Sequence, residues 1–228
     1  MSLPTPYYDE DGITIYHGDC REILPEVAAD VIITDPIWPN CEHIFPGVDA
    51  FALLAAALSV ASVDRLVLHL GMNSDPRFLL AVPSRWPFLR VCYLEYTAIG
   101  YLGRLLRDAD VAYVFGAPPL SVPGQRVLPG RTIATKSNGD KGWSRHARSP
   151  EDVRQSVAKM SHPTKRLVQH VKWLVKWFGG DVVLDPFMGS GTTLLAAQDH
   201  GRKAIGIERE EKYCEIAVKR LTQRVLPL

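Results

Sequence analysis

The stretch Asp185-Pro186-Phe187-Met188-Gly189-Ser190-Gly191-Thr192-Thr193 follows an apolar run and precedes an Ala/Leu-rich helical pattern. Strand, glycine turn and helix N-terminus in that order bring backbone N–H groups and the positive helix end close to a polar or anionic ligand. The turn contains neither G-x-G-x-x-G nor Gly-Lys-Ser/Thr, so it is neither a dinucleotide fingerprint nor a P-loop. Residues 203–207 then read as a second strand ending in Glu208, and an acid at that strand tip is where a ribose diol is gripped. A nucleoside whose other end is a small charged group satisfies both halves.

A second stretch, Val31-Ile32-Ile33-Thr34-Asp35-Pro36-Ile37-Trp38-Pro39, is a buried-type strand that ends in an acid, a proline and an aromatic. Taken alone, Asp35-Pro36 is a common strand-to-turn signal. Together with Asp185–Thr193 and with Ser161-His162-Pro163-Thr164-Lys165-Arg166, it gives three motifs in one order. That set resembles the β-class amino-methyltransferases, which methylate adenine N6 or cytosine N4 in DNA with S-adenosylmethionine. The resemblance runs over residues 13–224 and implies a circularly permuted arrangement, with the catalytic motif before the cofactor motif. Ile37 stands where the family has a second proline, and Lys165-Arg166 replace its Gln-Lys-Pro ending.

The resemblance implies roles residue by residue. Asp35 and the Pro36 carbonyl would accept the two hydrogens of the target amine, and Trp38 would stack on the extruded base, with Ile37 completing the catalytic motif. Asp185, Pro186, Phe187, Gly189, Ser190, Gly191 and Thr192 would line the cofactor pocket. Glu208 would take the ribose hydroxyls and Asp19 the adenine, while His162, Pro163 and Thr164 would close the wall. Asp at the head of the catalytic motif favours adenine over cytosine as a family tendency. Two alternatives are a methyltransferase acting on RNA or a protein amide, and a catalytically silent subunit that keeps the fold to hold nucleic acid. Membership of a restriction-modification system belongs to the same expectation.

Charge supports a polyanionic partner. The net charge is +1, but residues 1–64 carry 1 basic and 11 acidic side chains, whereas residues 121–176 carry 12 basic and 3 acidic ones. Such asymmetry predicts a basic face for DNA. Arg126, Arg131, Lys136, Lys141, Arg145 and Arg148 recur at three- to five-residue spacing and suit phosphate contacts. They lie in residues 117–150, where prolines and glycines interrupt any apolar period, so this segment reads as an irregular insertion for target recognition. Its shortness leaves room for a homodimer or another partner to complete the target surface. The four cysteines, Cys20, Cys41, Cys92 and Cys214, form no C-x-x-C, and no metal is expected. The longest apolar stretch, residues 50–63, is too short to span a bilayer, and a cytoplasmic protein is expected.

The elements that must position these residues alternate. Strands are predicted at 13–17, 31–34, 65–70, 90–98, 109–115, 181–184 and 203–207, with helices at 49–62, 167–178, 194–198 and 211–224. Residues 1–12 read as a loosely held arm. The fold class expected is α/β, a single doubly wound domain over 1–228 with a mostly parallel seven-stranded sheet of the class I methyltransferase type.

Overall fold

The computed structural model describes residues 3–39, 46–102, 104–121, 124, 127–134 and 167–223. Its strands are β1 (Tyr8–Glu10), β2 (Ile13–His17), β3 (Val31–Thr34), β4 (Arg65–Gly71), β5 (Phe88–Leu102), β6 (Leu105–Gly116), β7 (Arg131–Ala134), β8 (Val182–Asp185) and β9 (Lys203–Glu208). Its helices are α1 (Cys20–Ile23), α2 (Ala50–Val60), α3 (Val168–Phe178), α4 (Thr192–Asp199) and α5 (Glu211–Thr222). Among the described residues the strands form one sheet in the order β1-β2-β9-β8-β3-β4-β6-β5-β7. Five of its eight pairings are parallel: β2 with β9, β9 with β8, β8 with β3, β3 with β4 and β5 with β7.

The sheet is therefore mostly parallel, as expected, but it has nine strands rather than seven. The additions are the two edges. Residues 8–10 pair antiparallel with β2, so the N-terminal segment is not merely a loose arm. Arg131–Ala134 pairs with β5 inside the stretch where no regular element was expected. Both strands are only three or four residues long, and elements that short leave little hydrophobic period in the sequence. The strand pair β5–β6 is also longer than its apolar core suggests.

Helices cover both faces. On one face α3, α4 and α5 pack through Leu174, Phe178, Leu194 and Leu221 onto Ile33, Val67 and Val183. On the other face α1 and α2 pack through Ile23, Leu54 and Leu58 onto Ile32, Leu66 and Leu68. The central strand β3 is buried at every position, which is why its sequence is a β-branched run without alternation.

From β3 the chain winds through α2 to β4, and from β8 it winds through α4 to β9, in opposite directions along the sheet. The reversal falls between β3 and β8, which pair directly. At such a point the two crossovers diverge and leave a crevice beyond the carboxyl ends of the strands, where open α/β sheets bind ligands. Thr34 and Asp185, the last residues of those two strands, therefore open onto it.

Candidate active site

The crevice is real and shared. One cleft at the β3/β8 boundary is lined by Asp35, Asp185, Phe187, Gly189, Ser190 and Thr192 of the two predicted motifs, with further side chains from β4 and α3. The strand ends are tied together by Thr34 Oγ1, which donates to Asp185 Oδ1 at 2.6 Å across 151 residues of sequence. Asp185 Oδ1 also accepts from the Phe187 N–H at 3.1 Å, and the Thr193 hydroxyl supplies a further hydrogen bond. Burial nevertheless pushes the Asp185 carboxyl up to about 6, opposed by those three donors and reinforced by the charge of Asp35.

The glycine turn has the backbone that its composition requires. Gly189 and Gly191 hold φ of 50° and 76°, a left-handed region that a Cβ makes costly. Gly191 is constrained twice, because a Cβ there would lie 2.8 Å from the Ala217 Cβ of α5. The turn is anchored from α5 by Arg220, whose Nη1 donates to the Ser190 carbonyl and, at 2.9 Å, to the Ser190 hydroxyl. On the other side Glu208 accepts from the Gly189 N–H at 3.0 Å and from the Glu210 N–H at 2.8 Å. Burial raises the Glu208 pKa, with the backbone donors of Glu210, Gly189 and Arg209 acting against the rise.

Asp35 stands just past β3, half-buried, with the Trp38 indole N–H donating to its Oδ1 at 2.9 Å. The Trp38 ring lies against Gly71 of β4: a Cβ on Gly71 would fall 2.3 Å from the indole. Ile37 and Trp38 both pack against the α2-side core. Asp19 caps α1, and the Arg21 guanidinium beside it holds its carboxyl below the usual range. It neighbours Glu208, since Gly18 N–H donates to the Glu208 carbonyl at 2.9 Å.

Of the residues the sequence singled out, Asp35 and most of the glycine turn line one cleft. Pro36, Ile37 and Trp38 follow Asp35 along the chain, and Pro186 and Gly191 belong to the turn without lining the cleft. Asp19 and Glu208 sit beside it at the tips of β2 and β9. His162, Pro163, Thr164, Arg126, Lys136, Lys141, Arg145 and Arg148 lie outside the described residues. Arg131 opens β7, exposed, with its guanidinium 4.0 Å from Glu95 Oε1. Sequence reasoning missed Ile33, Thr34, His69, Val171, Leu174, Met188 and Thr193 as lining residues. His69 alone left a signal, as the one imidazole in an otherwise apolar strand interior.

Among the described residues no group of three or more His, Cys, Asp or Glu is arranged to hold a metal ion, and no helix is long and apolar enough to cross a membrane.

A DNA methylase family pattern, that of the N6/N4 enzymes, matches residues 126–219. YubD of Escherichia coli (strain K12), which bears the name of a methylase, is 44% identical over 231 residues, covering 90% of this chain and 88% of that protein. The chain belongs to the N6/N4 DNA methylase family. The Type II methyltransferase M.ScaI of Streptomyces caespitosus is 26% identical to this methylase over 264 residues, 96% of the chain and 84% of the relative. Among solved structures, the cytosine-N4-specific PvuII DNA methyltransferase superposes with a TM-score of 0.67 at 17% identity, over 97% of this chain and 90% of that one. The M1.HpyAVI–SAM complex superposes with a TM-score of 0.65 at 21% identity, over 91% and 99%. These superpositions identify the fold of the methylase as the α/β methyltransferase type.

Proposed function

We propose that this chain uses S-adenosylmethionine to methylate DNA at an exocyclic amine of a base turned out of the duplex, adenine N6 ahead of cytosine N4. The observation that carries the reading is the shared cleft, in which Asp35 of the catalytic motif faces the Asp185–Thr193 turn across a single crevice. The residues present fit the cofactor. The Asp185 carboxylate suits the positive charge of its reacting end, and Glu208 at the tip of β9 suits its ribose.

When bound, S-adenosylmethionine supplies a methyl group activated by its sulfonium. The protein's own task is to make the target nitrogen a nucleophile, because the lone pair of an adenine or cytosine amine is delocalised into the ring. Asp35 and the Pro36 carbonyl would each accept one N–H of that amine, turning the lone pair out of the ring plane and stabilising the charge that develops. Trp38 offers an aromatic face for the extruded base. The basic residues of 117–150, Arg131 among them, would hold phosphates while the base is out.

The adenine preference rests on Asp35 as head of the motif. Tritiated methyl transfer to DNA, RNA and protein in parallel, followed by nucleoside chromatography, tests the whole reading. Label in N6-methyladenine of DNA is the expected result. Label in N4-methylcytosine would overturn the base, and no label in DNA the function.

A further inference from the structure

The first step of the reaction leaves a problem that Asp35 alone does not solve. Once the new N–C bond forms and the C–S bond breaks, the sulfur keeps the bonding pair and the amine nitrogen is cationic. It must then lose a proton inside a cleft walled by apolar side chains such as Ile33, Val171 and Leu174. Asp35 already accepts the Trp38 indole N–H.

Asp185 is held by Thr34, the Phe187 N–H and Thr193, and His69 is the other base that lines the cleft. It lies on β4, where Leu68 pairs with Thr34 of β3, so the next position along each strand places His69 beside Asp35. Side chains alternate along a strand. Ile33 and Val67 both face the α3–α5 core, and residues two further on, Asp35 and His69, share that face. The His69 side chain is 2% exposed, and its Nε2 has no hydrogen-bond partner. That nitrogen lies 3.5 Å from Oδ2 of Asp110 on β6, a residue 1% exposed.

Asp110 is itself fixed, since Tyr96 Oη donates to the same Oδ2 at 2.5 Å. The Tyr96 ring in turn tilts against His170 of α3, with centroids 5.1 Å apart, and His170 Nε2 lies 2.9 Å from the Glu95 carbonyl. The titratable groups around His69 are thus Asp35, Asp185, Asp110, Tyr96 and His170, from β3, β8, β6, β5 and α3. A buried imidazole without a hydrogen bond is costly to keep unless it has a task.

We propose that His69 is the proton acceptor of the reaction and that Asp110 holds it in the accepting tautomer, an inference that rests on the function proposed above. With Nε2–H directed at Asp110, the lone pair sits on Nδ1, the ring nitrogen left for the cleft. The proton leaves the methylated nitrogen as the N–C bond forms and joins Nδ1. The resulting imidazolium closes its contact with Asp110, because a hydrogen bond that is long in the resting site tightens when charge develops. Solvent later removes the proton and the cycle resets. Asp110 is a positioning residue here: it touches His69 and not the substrate.

Single-turnover methylation of duplex DNA with tritiated S-adenosylmethionine tests the proposal, with cofactor affinity measured by calorimetry on each variant. His69→Ala should slow methyl transfer by about a hundredfold or more, with the cofactor dissociation constant within about twofold of the wild type. Added imidazole should restore part of that rate, a response that a merely structural histidine would not give. Asp110→Asn should retain cofactor binding and shift the pH–rate profile to lower pH, because an imidazolium without its counter-charge gives up its proton more readily. If His69→Ala does not bind cofactor, His69→Gln, which keeps the side-chain volume and one polar group, replaces it, and its rate decides. A wild-type rate in either variant that binds cofactor, or a slowed His69→Ala that imidazole leaves unchanged, overturns the proposal. Failure of the wild type to methylate DNA at all would instead overturn the function reading, so the two failures are distinct.

Discussion

Asp185→Asn should make the cofactor-free protein more stable while weakening its hold on the cofactor. In the folded chain burial lifts the Asp185 carboxyl from 3.8 to about 6. The folded state therefore keeps a proton that the unfolded state has released. The cost of ionising the group in place is absent below pH 4, grows between pH 4 and 6, and is constant above. Two pKa units correspond to about 3 kcal/mol.

Asparagine can keep the local bonds. Its Oδ1 can accept from Thr34 Oγ1 and the Phe187 N–H, which both meet Oδ1 now, and its amide can donate to the Thr193 hydroxyl. Allowing for imperfect geometry, the variant should gain about 2 kcal/mol at pH 7, a rise in Tm of about 4–8 °C for a chain of this size. At pH 5 the gain should fall to about half, because the wild type there largely holds its proton when folded while the unfolded carboxyl is ionised. Cofactor affinity should move the other way and drop at least tenfold at pH 7, since the variant lacks a carboxylate opposite a cationic ligand. Thermal melts at pH 5 and 7, with calorimetric titration of S-adenosylmethionine, measure all three quantities. A variant destabilised equally at both pH values would refute the reasoning, because hydrogen bonding and not burial of charge would then dominate at this position.

Asp35→Ala should lower single-turnover methylation by about a hundredfold or more, with cofactor affinity near wild type; an unchanged rate would remove it from the chemistry. Glu208→Ala should weaken S-adenosylmethionine binding by about 1–3 kcal/mol, and the Gly189 N–H it leaves unmet should make the turn exchange amide hydrogens faster; unchanged affinity would detach Glu208 from the cofactor. Gly71→Ala should push the Trp38 ring off β4, since the new methyl would begin 2.3 Å from it. The indole bond to Asp35 should break, and affinity for DNA with an extrahelical base should fall by about 1–3 kcal/mol of lost stacking, while a shifted Trp38 fluorescence with unaltered affinity would exclude a stacking role.

Much of this site is written in short runs whose physics is local. A β-branched stretch such as Val31–Thr34 can only be buried on both sides, and a glycine turn between a strand and a helix fixes its own geometry. Those signals located β2, β3, β8 and the turn, and the charge asymmetry pointed to a basic segment. The residues that escaped notice depend on pairing. Val171 and Leu174 read as one stripe of a core helix, and nothing in that stripe says which of its residues borders a cleft. The Thr34–Asp185 bond follows from the juxtaposition of β3 and β8, which no local pattern encodes. Residues 131–134 escaped because a four-residue edge strand among prolines and glycines has too few positions to show a period. His69 is the instructive miss: a polar side chain inside an apolar strand is expensive unless it faces a site, and that cost was readable in advance.

The separation of 151 positions between Thr34 and Asp185 also bears on when the protein becomes competent during its synthesis. On the ribosome the catalytic strand emerges early and must wait for β8, for β9 with Glu208, and at last for α5, whose Arg220 clasps the turn at Ser190. Contacts so distant along the chain form late, after the entropy of closing the long loop has been overcome. A polypeptide interrupted anywhere before Arg220 lacks that clasp, and one interrupted before Glu208 also lacks the end of β9. Such fragments carry the whole catalytic motif while the glycine turn lacks its anchor from the C-terminal helix.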